Sequence, residues 1–181
     1  MTTSPTIIDE VEGLYKVIAL APFRKTEGVS FDILDTTGLP PIAGIDRVLH
    51  DTGALSPGPV AGVERPWYCH PYQEDYLMVL HGLRHTEIYT KRHKRVEHFE
   101  VGPHYIKKND SILYEGPAML VWPCMVFHRI RSADSGSASI NLAVRFDGFD
   151  IDTNFNIYSL DPATGESNMI RAGHLDQMIQ P

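Results

Sequence analysis

Cysteine is almost missing from this chain of 181 residues: only Cys69 and Cys124 occur. Two cysteines so far apart form no disulfide framework, and their scarcity suits an intracellular, cytoplasmic protein. An excess of positive charge is missing as well. With 16 Lys+Arg against 23 Asp+Glu the formal charge is −7, and neutralising a phosphate backbone needs the opposite sign, so no nucleic-acid partner is expected. Long apolar runs are absent: the longest, residues 118–127, is broken by Pro123 and is too short to cross a bilayer. The opening MTTSPTIIDEVEG has neither the basic nor the apolar stretch of a signal peptide, so no membrane association is expected. Also lacking are a phosphate-binding P-loop, a dinucleotide-binding glycine pattern and a nucleophile elbow. No internal repeat or linker divides the chain, and its length fits one domain.

What is present is a succession of short β-branched and aromatic runs punctuated by turn residues. They include residues 15–20, 29–34, 75–80, 86–90, 111–114, 119–122, 127–131, 139–146 and 155–160. Gly82, Gly102-Pro103, Asn109-Asp110, Gly116-Pro117, Ser135-Gly136 and Gly148 supply the turns. Such spacing indicates an all-β sandwich or barrel with little helix. Helical periodicity is hinted at only in residues 8–17 and 174–179. The basic segment 84–108, which carries +4, reads as two strands joined by a solvated hairpin tip at 91–95.

Chemistry-bearing residues concentrate in GVERPWYCHPYQEDYLMVLHG, residues 62–82. Strand alternation puts Tyr68, His70 and Tyr72 on one face and turns Cys69 away. Glu74 and Asp75 follow, then an apolar strand closed by Gly82. A His and a carboxylate beside aromatics in a barrel interior make a metal site or an acid–base site.

On these residues the chain resembles the cupin superfamily, in its single-domain RmlC-like form. The family's first motif, G-x5-H-x-H-x(3,4)-E-x6-G, is matched in spacing by Gly62, Tyr68, His70, Asp75 and Gly82. The second, G-x5-P-x-G-x2-H-x3-N, is matched by Gly116, Pro123 and His128, with one extra residue before the proline. Tyr68 stands for the first His, Asp75 for Glu, Met125 for Gly and Ser132 for Asn. The resemblance implies a double-stranded β-helix, or jelly-roll barrel, with its core in residues 61–146. Residues 1–60 would supply N-terminal strands and a loop for homodimerisation, and residues 147–181 a strand and tail packed on the barrel.

It also implies a divalent cation (Fe, Ni, Mn or Zn) held by His70, Asp75 and His128. Two His and a carboxylate suit non-haem Fe(II) and leave positions open. The spacing to Gly82 selects Asp75, whereas side-chain reach favours Glu74. Glu74 and Tyr68 are the candidate proton-moving groups. Tyr72, Asn141 and Arg145 are the candidate substrate-binding groups, Arg145 through its planar fork. The leading reading is a metal-dependent oxygenase, isomerase or lyase acting on a small polar organic substrate. The alternatives are a metal-free sugar-nucleotide epimerase or isomerase, in which a His–carboxylate pair and a Tyr move the proton, and a small-molecule-binding cupin without turnover.

Overall fold

Two unusually long strands organise the molecule, and both alternate inward and outward residues. In the computed structural model, which describes residues 5–176, β8 spans Gln73–Tyr89 and β13 spans Phe127–Arg145, paired antiparallel along nearly their whole length. Each runs through a bend from one sheet into the other, so runs expected as separate strands at 75–80 and 86–90, and at 127–131 and 139–146, are continuous. The Ser135-Gly136 turn signal marks the bend in β13, where the register shifts between Ser132 and Ser137. The first halves and second halves of these strands thus form the spine of two facing layers.

Around one half, β1 (Thr6–Val11) and β2 (Tyr15–Ala19) join through β12 (Ala118–Trp122) to β8, and β5 (Ile42–His50) flanks β13. Around the other, β9 (Glu97–Val101), β10 (Tyr105–Lys108) and β11 (Ser111–Glu115) extend from β8. β6 (Leu55–Ser56), β7 (Trp67–Cys69), β14 (Ile157–Leu160) and β15 (Ser167–Arg171) extend from β13. The hint of helix at 8–17 is overturned: its apolar positions serve two strands, β1 and β2, that form a hairpin. The other hint falls on a single 3-10 turn at Gly173–Leu175, with residues 177–179 outside the described part. The only α-helix among the described residues, α1 (Ile151–Asn154), is one turn long and is N-capped by Asp150.

Between the layers Leu14, Val17, Leu77, Val79, Ile88, Phe99, Val101, Ile106, Leu120 and Ile130 form the apolar core. The N-terminal stretch is therefore part of the barrel, because β2 places Tyr15 and Val17 inside it. The rest of the interior is polar, lined by the inward faces of β5, β7, β8 and β13. One hairpin, β3 (Ala21–Thr26) with β4 (Val29–Ile33), pairs only with itself and is exposed at every position. No helix of the described residues is long and apolar enough to cross a membrane.

Candidate functional site

Alternation on β8 decides which carboxylate enters the interior. Gln73, Asp75 and Leu77 point in, while Glu74 points out. Asp75 is 2% exposed and saturated by donors. Its Oδ1 accepts from Gln73 Nε2 and Asn141 Nδ2, each at 2.8 Å. Its Oδ2 accepts from Trp122 Nε1 at 3.1 Å. Three neutral donors thus converge on this one buried carboxylate.

His70 follows β7, and its Nε2 lies 3.4 Å from Asp75 Oδ2. Its Nδ1 lies 2.5 Å from the carbonyl oxygen of Asn154 in α1. A carbonyl oxygen can only accept, so Nδ1 carries a proton. Nε2 is therefore the ring atom left facing the carboxylate. His128, on β13, donates Nδ1–H to the Val126 carbonyl at 3.2 Å, which leaves its Nε2 bare. Burial first, then the neighbouring His70, hold the His128 imidazole well below the usual histidine range, so it is neutral at pH 7. The two rings are 4.7 Å apart between centroids.

Tyr68 stands beside both, 6.1 Å from the His70 ring and 5.9 Å from the His128 ring. Burial raises its phenol above the ordinary tyrosine value, so it remains a proton donor. Phe155 closes against His70 edge-on at 5.0 Å. These residues line a cavity of about 200 Å³ together with Asp46, His50, Arg84 and Ile130.

His70, Asp75 and His128 each offer one ligand atom, all within 4.8 Å of one another. With both Nδ1 atoms committed to backbone carbonyls, the donor set fits a divalent cation, the carbonyls fixing each ring as second-sphere partners do. The same set fits a shared proton. The arrangement can thus polarise a carbonyl or relay a proton in a small space flanked by aromatic rings.

Of the residues singled out from sequence, Tyr68, His70, Asp75, His128 and Asn141 converge here. Three do not. Tyr72 is 45% exposed, because β7 ends at Cys69 and the chain turns, which breaks the alternation that would have carried it inward; its ring lies against Gly148. Glu74 faces outward and accepts from Tyr76 Oη at 2.5 Å, in a hollow with Lys16, Val121 and Pro123. Arg145 lies over the Phe149 ring and donates to Gln73 Oε1 at 3.3 Å, so it reaches Asp75 only through Gln73.

Gln73, Asn154 and Arg84 join this cavity without any motif announcing them, and Trp122, which reads from sequence as barrel packing able to floor a pocket, lines it. No spacing rule flags Asn154, whose contribution is a backbone carbonyl. Arg84 lies on the first of the two strands expected in 84–108 and is 2% exposed, a burial that its charge does not announce. The tip itself, 91–95, is a hairpin connection as expected, between β8 and β9. A larger hollow, about 480 Å³, is lined by His85, Glu87, His98, Glu100 and Lys107. Its Lys107 and Glu100 pair at 2.8 Å, and the cluster of metal-ligating side chains found among the described residues lies in the smaller cavity.

No family model matches the chain, and no curated protein matches it. Solved structures do. One is the WlaRB TDP-quinovose 3,4-ketoisomerase from Campylobacter jejuni, at TM-score 0.51 and 14% identity over 75% of this chain and 87% of that one. A second is QdtA, a sugar 3,4-ketoisomerase from Thermoanaerobacterium thermosaccharolyticum in complex with TDP, at TM-score 0.54 and 12% identity over 78% and 85%. A third is a dTDP sugar isomerase from Desulfovibrio desulfuricans, at 0.54 and 17% over 79% and 83%. At such identities the likeness is one of fold. The chain has the RmlC-like cupin fold, a nearly all-β antiparallel jelly roll.

Proposed function

We propose that this protein is a cupin isomerase that moves a proton between neighbouring carbons of a small polar carbonyl compound held in the cavity. The observation that carries this reading is a pair of buried histidines in unequal surroundings: His70 between the Asn154 carbonyl and the Asp75 carboxylate, His128 with a bare Nε2. Pairs of titratable groups whose surroundings push them apart are how one site supplies both acid and base. His128 takes the proton from the carbon next to the carbonyl, and Tyr68 donates one to the carbonyl oxygen, giving an enediol. Collapse of the enediol toward the other carbon returns both protons and exchanges the positions of carbonyl and hydroxyl. No electrons leave the substrate, so no oxidant is needed. Asp75 orients His70, whose Nε2 faces its Oδ2 at 3.4 Å.

That the structural neighbours include sugar isomerases supports this reading over oxygenase or lyase chemistry. A cavity of about 200 Å³ has the volume of roughly seven waters, room for one small sugar or acid. The reaction is tested by proton NMR in D2O with small ketoses, oxo acids and TDP-linked keto sugars. Deuterium should appear at the carbon next to the carbonyl, and not with His128→Ala.

A second reading, a divalent cation on His70, Asp75 and His128, is favoured by the spacing of their ligand atoms. When bound, the ion would polarise the substrate carbonyl; Tyr68 and the hydrogen bonds to Asp75 would keep their roles. Metal analysis of protein purified without an affinity tag separates the two readings. Near-stoichiometric metal that His70→Ala and His128→Ala both abolish selects the cation, and none after reconstitution selects the proton pair.

A further inference from the structure

Across the cavity from the carboxylate centre stands a positive charge that the fold does not balance. Arg84 is almost fully buried and lines the cavity. Its Nε donates to Ser137 Oγ at 3.0 Å and its Nη2 to the Val48 carbonyl at 3.2 Å. A guanidinium has five donors, and these two bonds use two of them. No acidic side chain of the described residues lies within 4.0 Å of it, although most other buried or half-buried cations here are paired. Arg129 bonds Glu87, and Lys107 bonds Glu100. Asp46, on the same cavity wall, makes no ion pair with Arg84, and Asp75 is committed to Gln73, Asn141 and Trp122. A buried charge without a counter-charge is costly, and its cost falls when an anion arrives. Burial pushes the guanidinium down to about 10, which still leaves it charged at pH 7.

The neighbouring hydrogen bonds point the same way. Ser137 Oγ lies 3.1 Å from Ser132 Oγ, which lies 3.0 Å from His50 Nδ1. Arg84 can only donate, so the order that leaves no hydroxyl proton stranded runs from Arg84 to Ser137 to Ser132 to His50 Nδ1. That order puts the His50 proton on Nε2. Burial, and then Arg84, push His50 down to about 4, so it is a neutral donor at pH 7. Arg84 and His50 are therefore two donors on one cavity wall, joined by a serine relay, with no protein anion to satisfy them.

We infer that Arg84 and His50 form an anion-binding subsite that grips a carboxylate on the substrate while its carbonyl end faces His70 and His128. The inference rests on the reading of this cavity as the substrate site, and makes the substrate a small oxo acid with a hydroxyl next to its carbonyl. A carboxylate matches the planar guanidinium fork and its single charge. A phosphate dianion would bring an extra negative charge into a cavity that already holds Asp75.

The test is calorimetric titration of the intact protein with pyruvate, with dihydroxyacetone as a neutral ketone of similar size, and with inorganic phosphate and thymidine diphosphate. Pyruvate should bind measurably and dihydroxyacetone at least tenfold more weakly. Arg84→Met should abolish that preference while unfolding no earlier than the wild type in the absence of ligand, because it removes a lone buried charge. Should Arg84→Met fail to fold, Arg84→Lys serves: it keeps the charge, loses the fork, and should retain the preference with several-fold weaker binding. Unchanged pyruvate binding in either variant, equal binding of the neutral ketone, or binding of phosphate or thymidine diphosphate alone overturns the carboxylate assignment. Deuterium exchange is a separate readout: binding through Arg84 without exchange overturns the isomerase reading and leaves the subsite standing.

Discussion

At the scale of single residues, Asp75 is the one whose chemistry is most constrained. It receives hydrogen bonds from Gln73, Asn141 and Trp122 and faces His70. Asp75→Asn turns one acceptor oxygen into a donor among donors, so we expect about 2–4 kcal/mol of destabilisation by urea titration. Loss of activity without loss of stability would mean that the network matters less than the charge. His50 and His128 give a pH signature. Both are held below the unfolded histidine value near 6.5. Between that value and the folded one the unfolded state binds more protons, so stability is level above pH 6.5 and falls on acidification toward pH 4. His50→Asn keeps an acceptor toward Ser132 and should flatten part of that slope in denaturation midpoints taken from pH 7 to 4. The cluster His70, Asp75 and His128 was legible in the sequence because it rides on motif spacing. The choice between Glu74 and Asp75 was not legible, because it depends on which face of β8 turns inward.

At the scale of elements, Gly82 shows how a local device sets the site. Ser139 pairs with Val79 and Ala138 with His81, so Leu80 is an extra residue on β8. Such a bulge moves the inward parity by one residue: Gln73, Asp75 and Leu77 face in before it, and Arg84 and Thr86 after it. Without the bulge Arg84 would face outward. Gly82 has φ +69°, and a Cβ there would sit 2.0 Å from the Gly136 carbonyl oxygen. Gly82→Ala should therefore cost about 3 kcal/mol or more in a urea titration. A smaller cost, with the cavity intact, would show that the bend can relax. The motif thus disclosed that a glycine stands at 82, while its consequence for Arg84 needed the register. The long strands β8 and β13 were divided in the sequence reading for the same reason, since a bulge looks like a turn when only residue types are visible.

At the scale of the whole molecule, the outer face of the β5–β13–β8 layer is less polar than a free surface should be. Ile45 and Leu49 are exposed there, with Leu80 beside them, and Met78 and Leu142 are only partly covered. The β3–β4 hairpin adds exposed Phe23, Val29, Phe31 and Ile33. A lone two-stranded hairpin is marginal in water, and contiguous apolar patches mark interfaces. We expect a homodimer that buries both, seen as twice the chain mass in sedimentation equilibrium. Ile45→Glu with Leu49→Glu should shift the protein to monomer, and a wild-type monomer at micromolar concentration would remove the expectation. The barrel itself was legible from strand count and motif order. The polar half of its interior was not, because nothing in the spacing of Arg84, Ser137 and His50 shows that two facing sheets bring them together. The most direct measurement of the central claim is deuterium incorporation from D2O into a bound small oxo acid, followed by proton NMR for wild type and His128→Ala. Exchange at the carbon next to the carbonyl in the wild type and none in the variant is the predicted result. Binding of the same compounds without exchange, or equal exchange in both proteins, would contradict it.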